Sequence, residues 1–272
     1  MTSSPTAGRT TGPVRLDITD GVATITLDRP EAMNSLDVAT KEALRDTVHA
    51  VAEDPAARCV VLTGTGRAFC VGQDLKEHVE ILNSGSSDEL FRTVDEHYNP
   101  IVTAIATMPK PVIAAVNGVA AGAGASLAFA CDLRILSEQA GYNLAFANIA
   151  LSCDTGASYH LQRLVGRARA IELLYFPSTV SAADALELGL ATRVVPAEEL
   201  TATVQELAAR LAAGPTVALG AIRRSVAFAA GHGLEESLEL ESRMMTLTGS
   251  TEDHRAAVDA FLAKQKPTFE GR

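Results

Sequence analysis

Three short runs of residues constrain the fold of this chain more than any other feature. The runs are CVVLTG (59–64), PVIAAV (111–116) and DLRIL (132–136), and a loop and then a helical pattern follow each of them. Runs this short, with few or no charges, suit strands buried on both faces of a parallel sheet. Repeated units of strand, loop and helix bring the loops out at the same ends of successive strands. The chain is therefore predicted to be an α/β protein.

The segments on either side of these units give the predicted domain organisation. Residues 14–18 and 22–27 alternate around the turn dipeptide Asp20-Gly21, which predicts a β-hairpin. Asp37 is expected to cap a helix that runs to about Glu53. From residue 196 the pattern becomes almost wholly helical. We predict a disordered leader over 1–13, a core over 14–195 and a helical oligomerisation region over 196–272.

Composition and charge exclude several classes of function. The 272 residues are 47% hydrophobic, enough to bury the core of one large domain. The net charge of -10, without a run of Lys or Arg, argues against binding to nucleic acid or to an anionic membrane. The N-terminal residues contain no apolar signal segment, which favours a cytoplasmic protein. The uncharged stretch 111–131 is rich in Ala and Gly, so a buried strand, turn and helix explain it better than a membrane span.

The four cysteines do not predict a metal site or a disulfide. They lie far apart, without a CxxC pair or a Cys/His ligand pattern, and three of them lie in apolar contexts. We therefore expect no structural metal and no disulfide. The cysteines are Cys59, Cys70, Cys131 and Cys153.

The stretch NGVAAGAGAS (117–126) places three glycines where a strand gives way to a helix. Their spacing allows a dinucleotide-binding loop, but the loop does not follow the first strand and no Tyr-x-x-x-Lys pair is present. Close packing of a helix on a sheet is a second explanation. A third is that the helix start offers a backbone N–H to an oxyanion. The loop RAFCVGQDLKE (67–77), which turns at Gly72, would supply a second donor.

Several motifs in the same order resemble the crotonase, or enoyl-CoA hydratase/isomerase, superfamily. They are LDRPEAMNSLD (27–37), VLTGTGRAFCVGQDLKE (61–77), KPVIAAVNGVAAGAGASLAFACDLRI (110–135), LVGRARAIELL (164–174) and AFLAKQKPTFEGR (260–272). The resemblance implies a ββα spiral with a C-terminal helical trimerisation region, assembled as a homotrimer or a dimer of trimers. It also implies an acyl-CoA thioester substrate and no separate cofactor, coenzyme A being part of the substrate.

The resemblance assigns roles to individual positions. The backbone N–H groups of Gln73 and Ala123 would form the oxyanion hole. The coenzyme A moiety would be bound by the side chains or backbone of nine residues. They are Ala32, Met33, Arg67, Ala68, Phe69, Asp74, Leu75, Lys76 and, from a neighbouring subunit, Phe269. The acyl pocket would be lined by Gly122, Ser126, Phe146 and Tyr159.

Departures from the hydratase pattern bear on the chemistry. Hydratases of the superfamily use two glutamates, and this chain has Ser126 and Phe146 at the corresponding positions. Asp154 resembles the catalytic aspartate of dienoyl-CoA isomerases and phenylacetyl-CoA ring-epoxide isomerases. Its alternative role is to cap the helix that starts near Gly156. The sequence favours an acyl-CoA isomerase with Asp154 as the single acid/base; a hydratase with a non-standard acid/base and a catalytically silent acyl-CoA-binding protein remain alternatives.

Overall fold

The computed structural model describes residues 12–83 and 87–272, so the predicted leader lies almost wholly outside the described residues. Two β-sheets form its centre. The strands are β1 (Val14–Thr19), β2 (Val22–Leu27), β3 (Cys59–Gly64), β4 (Ala68–Cys70), β5 (Val112–Val116), β6 (Val119–Ala121), β7 (Leu133–Ser137), β8 (Gly141–Asn143), β9 (Val180–Ser181) and β10 (Arg193–Val195).

The larger sheet has six strands in the order β1-β2-β3-β5-β7-β10. The hairpin predicted around Asp20-Gly21 is present, with Val14 opposite Leu27 and Thr19 opposite Val22. From β2 onward, neighbouring strands are parallel. The smaller sheet has the order β4-β6-β8-β9. Because the parallel strands share one direction, the loops after β3, β5 and β7 emerge at a common edge.

The repeating unit contains a second strand that the residue pattern did not reveal. A loop was predicted after each buried strand, but three residues of each loop pair in the smaller sheet, as β4, β6 and β8. Three residues are too few to show an alternating pattern, because alternation needs at least four positions. The fold is thus a spiral of ββα turns, as the resemblance implied.

Helices follow each pair of strands and then make up most of the C-terminal region. No helix within the described ranges combines the length and apolarity needed to cross a bilayer. The helices are α1 (Val38–Glu53), α2 (Leu75–Asn83), α3 (Ser87–Thr93), α4 (Asn99–Thr107), α5 (Ala123–Ala130), α6 (Ala157–Tyr175), α7 (Ala182–Glu187), α8 (Leu200–Ala212), α9 (Thr216–Ala229), α10 (Leu234–Gly249) and α11 (Glu252–Leu262).

The helical segment from Ser87 to Thr107 is not one regular α-helix. A π-helical turn, Val94–Tyr98, separates α3 from α4. A π turn inserts an extra residue into the helix and is frequent near functional sites. Tyr98, its last residue, is directed into the core and is only 1% exposed.

The larger sheet separates two hydrophobic clusters. Val60, Leu62 and Val112 face the larger cluster, and Val61 and Ile113 face the smaller one with α8. This explains why the strands carry continuous apolar runs. Burial raises the pKa of three thiols to about 12, so they remain protonated in the core; these are Cys59, Cys70 and Cys131.

Candidate active site

Two loops from neighbouring units meet at the common edge of the sheet. Gly72 has φ of +83° and lies against the start of α5, because a Cβ on it would fall 2.9 Å from the Ala121 carbonyl oxygen and 3.2 Å from Ala123 N. At Gly124 a Cβ would fall 2.1 Å from the Cys70 carbonyl oxygen. Glycine is therefore required at both positions for the two loops to approach this closely.

The backbone N–H groups of Gln73 and Ala123 flank this junction. Leu36 pairs with the loop, since its N–H donates to Gly72 O at 2.8 Å and its carbonyl accepts from Asp74 N at 3.1 Å. Leu36 thus bonds to the residues on either side of Gln73. In a parallel bridge of this kind Gln73 directs its own N–H away from Leu36. Ala123 is the first residue of α5, where an N–H has no acceptor within the helix. No hydrogen bond joins either N–H to another described residue.

The Gln73 side chain is held by three other side chains. Its Oε1 accepts from Tyr98 Oη at 2.6 Å and from Lys41 Nζ at 3.2 Å, and its Nε2 donates to Glu77 Oε1 at 3.1 Å. Lys41 is 1% exposed and pairs with Glu77 at 3.0 Å. Burial, followed by the charge of Asp154, raises the pKa of Tyr98 well above its ordinary value, so its hydroxyl remains a donor.

Asp154 lies in the loop before α6, and its side chain does not cap that helix. The N-cap is Gly156, without a side-chain hydrogen bond, and only the backbone carbonyl of Asp154 accepts from Ala157 N, at 2.9 Å. The carboxylate accepts from Thr155 Oγ1 at 2.8 Å. Burial raises the pKa of Asp154 above its ordinary value of 3.8, and the hydrogen bonds from the Thr155 hydroxyl and from the backbone N–H of Asp154 itself partly oppose that rise. A carboxyl group with a raised pKa is better suited to take up and return a proton than one at its ordinary value.

Three of the four predicted acyl-pocket residues surround the start of α5. Phe146 lies beside Gly122, with ring atoms 3.9 Å from where a Gly122 Cβ would be. Ser126 is fully buried, and its hydroxyl donates to the Gly122 carbonyl at 3.0 Å. The Ser126 hydroxyl is thus already bonded to the backbone, and Phe146 offers only an apolar surface.

Tyr159, the fourth, lies on the wall of a cavity of about 990 Å³ between α4, α6 and α9. It is 46% exposed and stacks on the Arg163 guanidinium at 3.5 Å. His160 lines the same cavity, and burial, then the charge of Arg163, lowers its pKa to about 4. Gly156, two residues beyond Asp154, also contributes to the wall, so this cavity borders the back of the Asp154 loop.

The structure joins the three segments predicted to bind coenzyme A. Asn34 donates to the Ala68 carbonyl at 2.8 Å, which ties the segment containing Ala32 and Met33 to the one containing Arg67. Arg29 and Ser35 bind the Asp74 carboxylate at 3.2 and 2.8 Å.

The residues predicted to bind coenzyme A differ in the solvent exposure of their side chains. Arg67, Leu75 and Lys76 are exposed, whereas Ala68 and Phe69 are core residues at 1% and 0% exposure and can offer only backbone atoms. Although burial alone would raise the pKa of Asp74, the hydrogen bonds from Ser35, Lys76 N and Arg29 hold it below its ordinary value. The Asp74 carboxylate therefore fixes the loops together.

Phe269 of the same chain does not reach these segments. Its carbonyl accepts from Arg58 at 3.1 Å, and Arg58 directly precedes β3, whereas Arg67 follows the other end of that strand. Six strand residues span about 20 Å. A contact from Phe269 to coenzyme A would have to come from a neighbouring chain, as the sequence prediction stated.

Sequence reasoning missed four residues that hold the site together: Arg29, Asn34, Lys41 and Tyr98. Arg29 and Asn34 stand inside the motif LDRPEAMNSLD, but nothing in their local pattern marks them as loop anchors. Lys41 is a buried lysine within an otherwise regular amphipathic helix. A charged residue on a helix's apolar face is the one signal that could have found it.

Comparisons with known proteins identify the family. Residues 17–272 match the family described as Enoyl-CoA hydratase/isomerase. This chain belongs to that family. It is an enzyme of the isomerase or hydratase type, built on the crotonase fold.

Individual relatives include both reaction types. The chain is 42% identical to 1,2-epoxyphenylacetyl-CoA isomerase of Escherichia coli K12, over 93% of this chain and 96% of that one. It is 40% identical to a protein of Rhodobacter capsulatus named probable enoyl-CoA hydratase, covering 95% and 98% of the two chains. A crystal structure of enoyl-CoA hydratase from Bacillus anthracis superposes with a TM-score of 0.89 at 32% identity, covering 96% of this chain and 100% of that one.

The part of the chain that the structure describes contains no evident metal-binding site. No group of three or more His, Cys, Asp or Glu side chains is arranged there to hold an ion.

Proposed function

We propose that the protein is an acyl-CoA isomerase that acts on an unsaturated or ring-epoxide acyl-CoA thioester, with Asp154 as its acid/base. The observation that carries the proposal is the half-buried Asp154 carboxylate, whose side chain is not used to cap a helix. The name of the Escherichia coli relative supports the same substrate class. The reaction needs no metal or redox cofactor.

In this mechanism the thioester oxygen binds between the N–H groups of Gln73 and Ala123. The two donors stabilise the negative charge that develops on this oxygen when a proton leaves the adjacent carbon, at about 3 kcal/mol per donor. Asp154 accepts that proton and returns it at another carbon, which moves a double bond or completes rearrangement of a ring epoxide. Gln73 is held in place through its side chain by Tyr98 and Lys41.

Isomerisation fits the site better than hydration because water addition ordinarily uses two carboxylates. Ser126 has its hydroxyl bonded to the Gly122 carbonyl, and Phe146 is apolar, so neither position can activate water as a glutamate would. A hydratase that relies on Asp154 alone is the second candidate, and the Rhodobacter capsulatus relative is the observation in its favour.

A panel of unsaturated, aryl and ring-epoxide acyl-CoA thioesters distinguishes the candidates. In ordinary water we expect products with the mass of the substrate but a different chromatographic position. In heavy water we expect deuterium to be incorporated at the exchanged carbons. A product heavier by one water would identify a hydratase instead. Saturable acyl-CoA binding without product or deuterium incorporation across the panel would contradict both activities and indicate a silent binding protein.

We also propose that the C-terminal helices assemble the chain into a homotrimer or a dimer of trimers. Large apolar side chains on α9, α10 and α11 are exposed in the single chain, at 61% to 80% of their surface; they are Ile222, Val226, Leu234, Met245 and Phe261. Exposed apolar surface on this scale commonly marks a protein interface. Light scattering is expected to give three or six times the 28.5 kDa chain mass. A stable monomer at micromolar concentration would contradict this.

A further inference from the structure

Thr155, the residue after Asp154, has an unusual backbone conformation. Its φ is +51°, and among the six non-glycine described residues with positive φ it is the β-branched one. For such a residue the left-handed region is a true outlier and is energetically unfavourable. Gly156, with φ of +74°, adopts the same region without that cost. A strained conformation of this kind persists when surrounding contacts enforce it.

The contacts of Thr155 point to a purpose for the conformation. Its side chain is 1% exposed, so the hydroxyl cannot hydrogen-bond to bulk water. The hydroxyl donates to Asp154 Oδ1 at 2.8 Å. Among the described residues, no hydrogen bond to Asp154 Oδ2 is found. Oδ1 is therefore engaged by the Thr155 hydroxyl, whereas Oδ2 accepts no hydrogen bond from another described residue; the carboxylate's remaining protein donor is the backbone N–H of Asp154 itself.

We propose that Thr155 is a positioning residue: its hydroxyl holds Asp154 Oδ1 and thereby assigns Oδ2 to exchange the substrate proton. This inference rests on the proposed acid/base role of Asp154. Thr155 does not itself need to touch the substrate. It fixes the rotation of the carboxylate and selects which oxygen acts as the base.

The proton balance is compatible with this arrangement in both half-reactions. When the substrate C–H bond breaks, the proton bonds to Oδ2 and the electron pair enters the enolate, with its charge on the thioester oxygen. On return, the Oδ2–H bond breaks and leaves its electron pair on the carboxylate, while the electron pair of the distal double bond forms the new C–H bond. The enolate pair then shifts to the neighbouring carbon–carbon bond, and the oxyanion pair re-forms the thioester carbonyl. Oδ1 remains an acceptor in both protonation states, so the hydroxyl of Thr155 can donate to it throughout.

Three substitutions at Thr155 separate the effect of the hydroxyl group from the effect of the backbone strain. Thr155→Val keeps the branch and nearly the volume but loses the hydroxyl. Thr155→Ser keeps the hydroxyl, and Thr155→Gly loses it while relieving the left-handed strain, so Thr155→Gly folds even if Thr155→Val does not. We expect kcat to fall about tenfold or more in the valine and glycine variants, the size of one hydrogen bond to a charged group. The serine variant should stay within about twofold of the wild type.

The decisive readout is the titration of Asp154 itself, which does not require turnover. The infrared band of its protonated carboxyl group is assigned by its disappearance in Asp154→Asn and then followed against pH. Loss of the hydroxyl should raise the pKa of Asp154 further, because the Thr155 hydrogen bond opposes the effect of burial. We therefore expect an upward shift in the valine and glycine variants, but not in the serine variant.

Thr40→Val is the matched control. Thr40 is equally buried, and its hydroxyl also binds an aspartate, Asp37, at 2.6 Å, but in the first turn of α1. This variant should leave the Asp154 titration unchanged. If the valine and glycine variants titrate as the wild type does, the positioning role of Thr155 is wrong even where Asp154→Asn is inactive. If Asp154→Asn turns over normally, the proposed function fails instead.

Discussion

Asp154→Asn is expected to lower kcat by about a thousandfold, with KM changed by less than about threefold, because general acid/base groups contribute 10²–10⁴-fold to rate. Asparagine keeps the shape of the side chain but cannot accept a proton. The measurement is steady-state turnover of the substrate identified in the thioester panel. Asp184→Asn is the control, since Asp184 also accepts from a neighbouring hydroxyl, Ser181, at 2.7 Å, but in the exposed first turn of α7.

The pH dependence provides a second check on Asp154. Because its pKa in the folded protein is raised, wild-type kcat/KM should fall as pH drops through that raised pKa, and this limb should vanish in the asparagine variant. The contribution of Asp154 to folding stability changes with pH in the opposite direction. Between 3.8 and the raised pKa the folded state binds more protons than the unfolded state, so the carboxyl makes the wild type less stable as pH rises.

The asparagine variant should therefore unfold at an equal or higher temperature than the wild type at pH 7, and the stability gain should disappear below pH 3.8. A variant that is both inactive and less stable at pH 7 would indicate a structural role for Asp154. Unchanged turnover in a folded variant would rule out the acid/base role directly.

Gly124→Ala is expected to damage both stability and activity. The new Cβ would lie 2.1 Å from the Cys70 carbonyl oxygen and 2.7 Å from its carbonyl carbon, and neither backbone atom can move aside by a change of rotamer. We expect the free energy of unfolding to fall by about 3 kcal/mol, the upper end for overpacking in a core. Displacement of α5 from β4 would also move Ala123 N–H, and a shift of about 1 Å can cost 10²-fold in kcat.

Denaturant unfolding and turnover of the same preparation test both parts of this prediction. Gly249→Ala is the control, because a Cβ at Gly249, at the end of α10, would meet nothing within 4 Å beyond its chain neighbours and the backbone of its own helix. Alanine there should change stability by no more than about 1 kcal/mol, and in the favourable direction. If Gly124→Ala matched this control, the close approach of α5 to Cys70 would not be what positions Ala123.

Local sequence patterns were sufficient to predict much of the fold. The buried strands at 59–64 and 111–116 lie within one residue of their predicted limits, and Asp37 caps α1 by accepting from Thr40 N. These features depend on residues within one turn or one strand, so their periodicity and capping are visible in a short window. The ordered motifs were sufficient to identify the family, which the match over residues 17–272 confirms.

The tertiary structure alone decided how the candidate site is held together. Gln73 is bound by Lys41 and Tyr98, which are 32 and 25 residues away in the chain, and Asp74 is bound by Arg29 across 45 residues. A single sequence carries no local sign of such pairs, because each partner's pattern satisfies its own helix or loop.

The same holds for the three-residue strands β4, β6 and β8, and for the left-handed conformation of Thr155. The strands are too short to show periodicity, and threonine's local preference opposes a positive φ. Local chemistry thus determined which elements form and to which family they belong. Only long-range packing decided which backbone N–H groups stay free and how the Asp154 carboxylate is held.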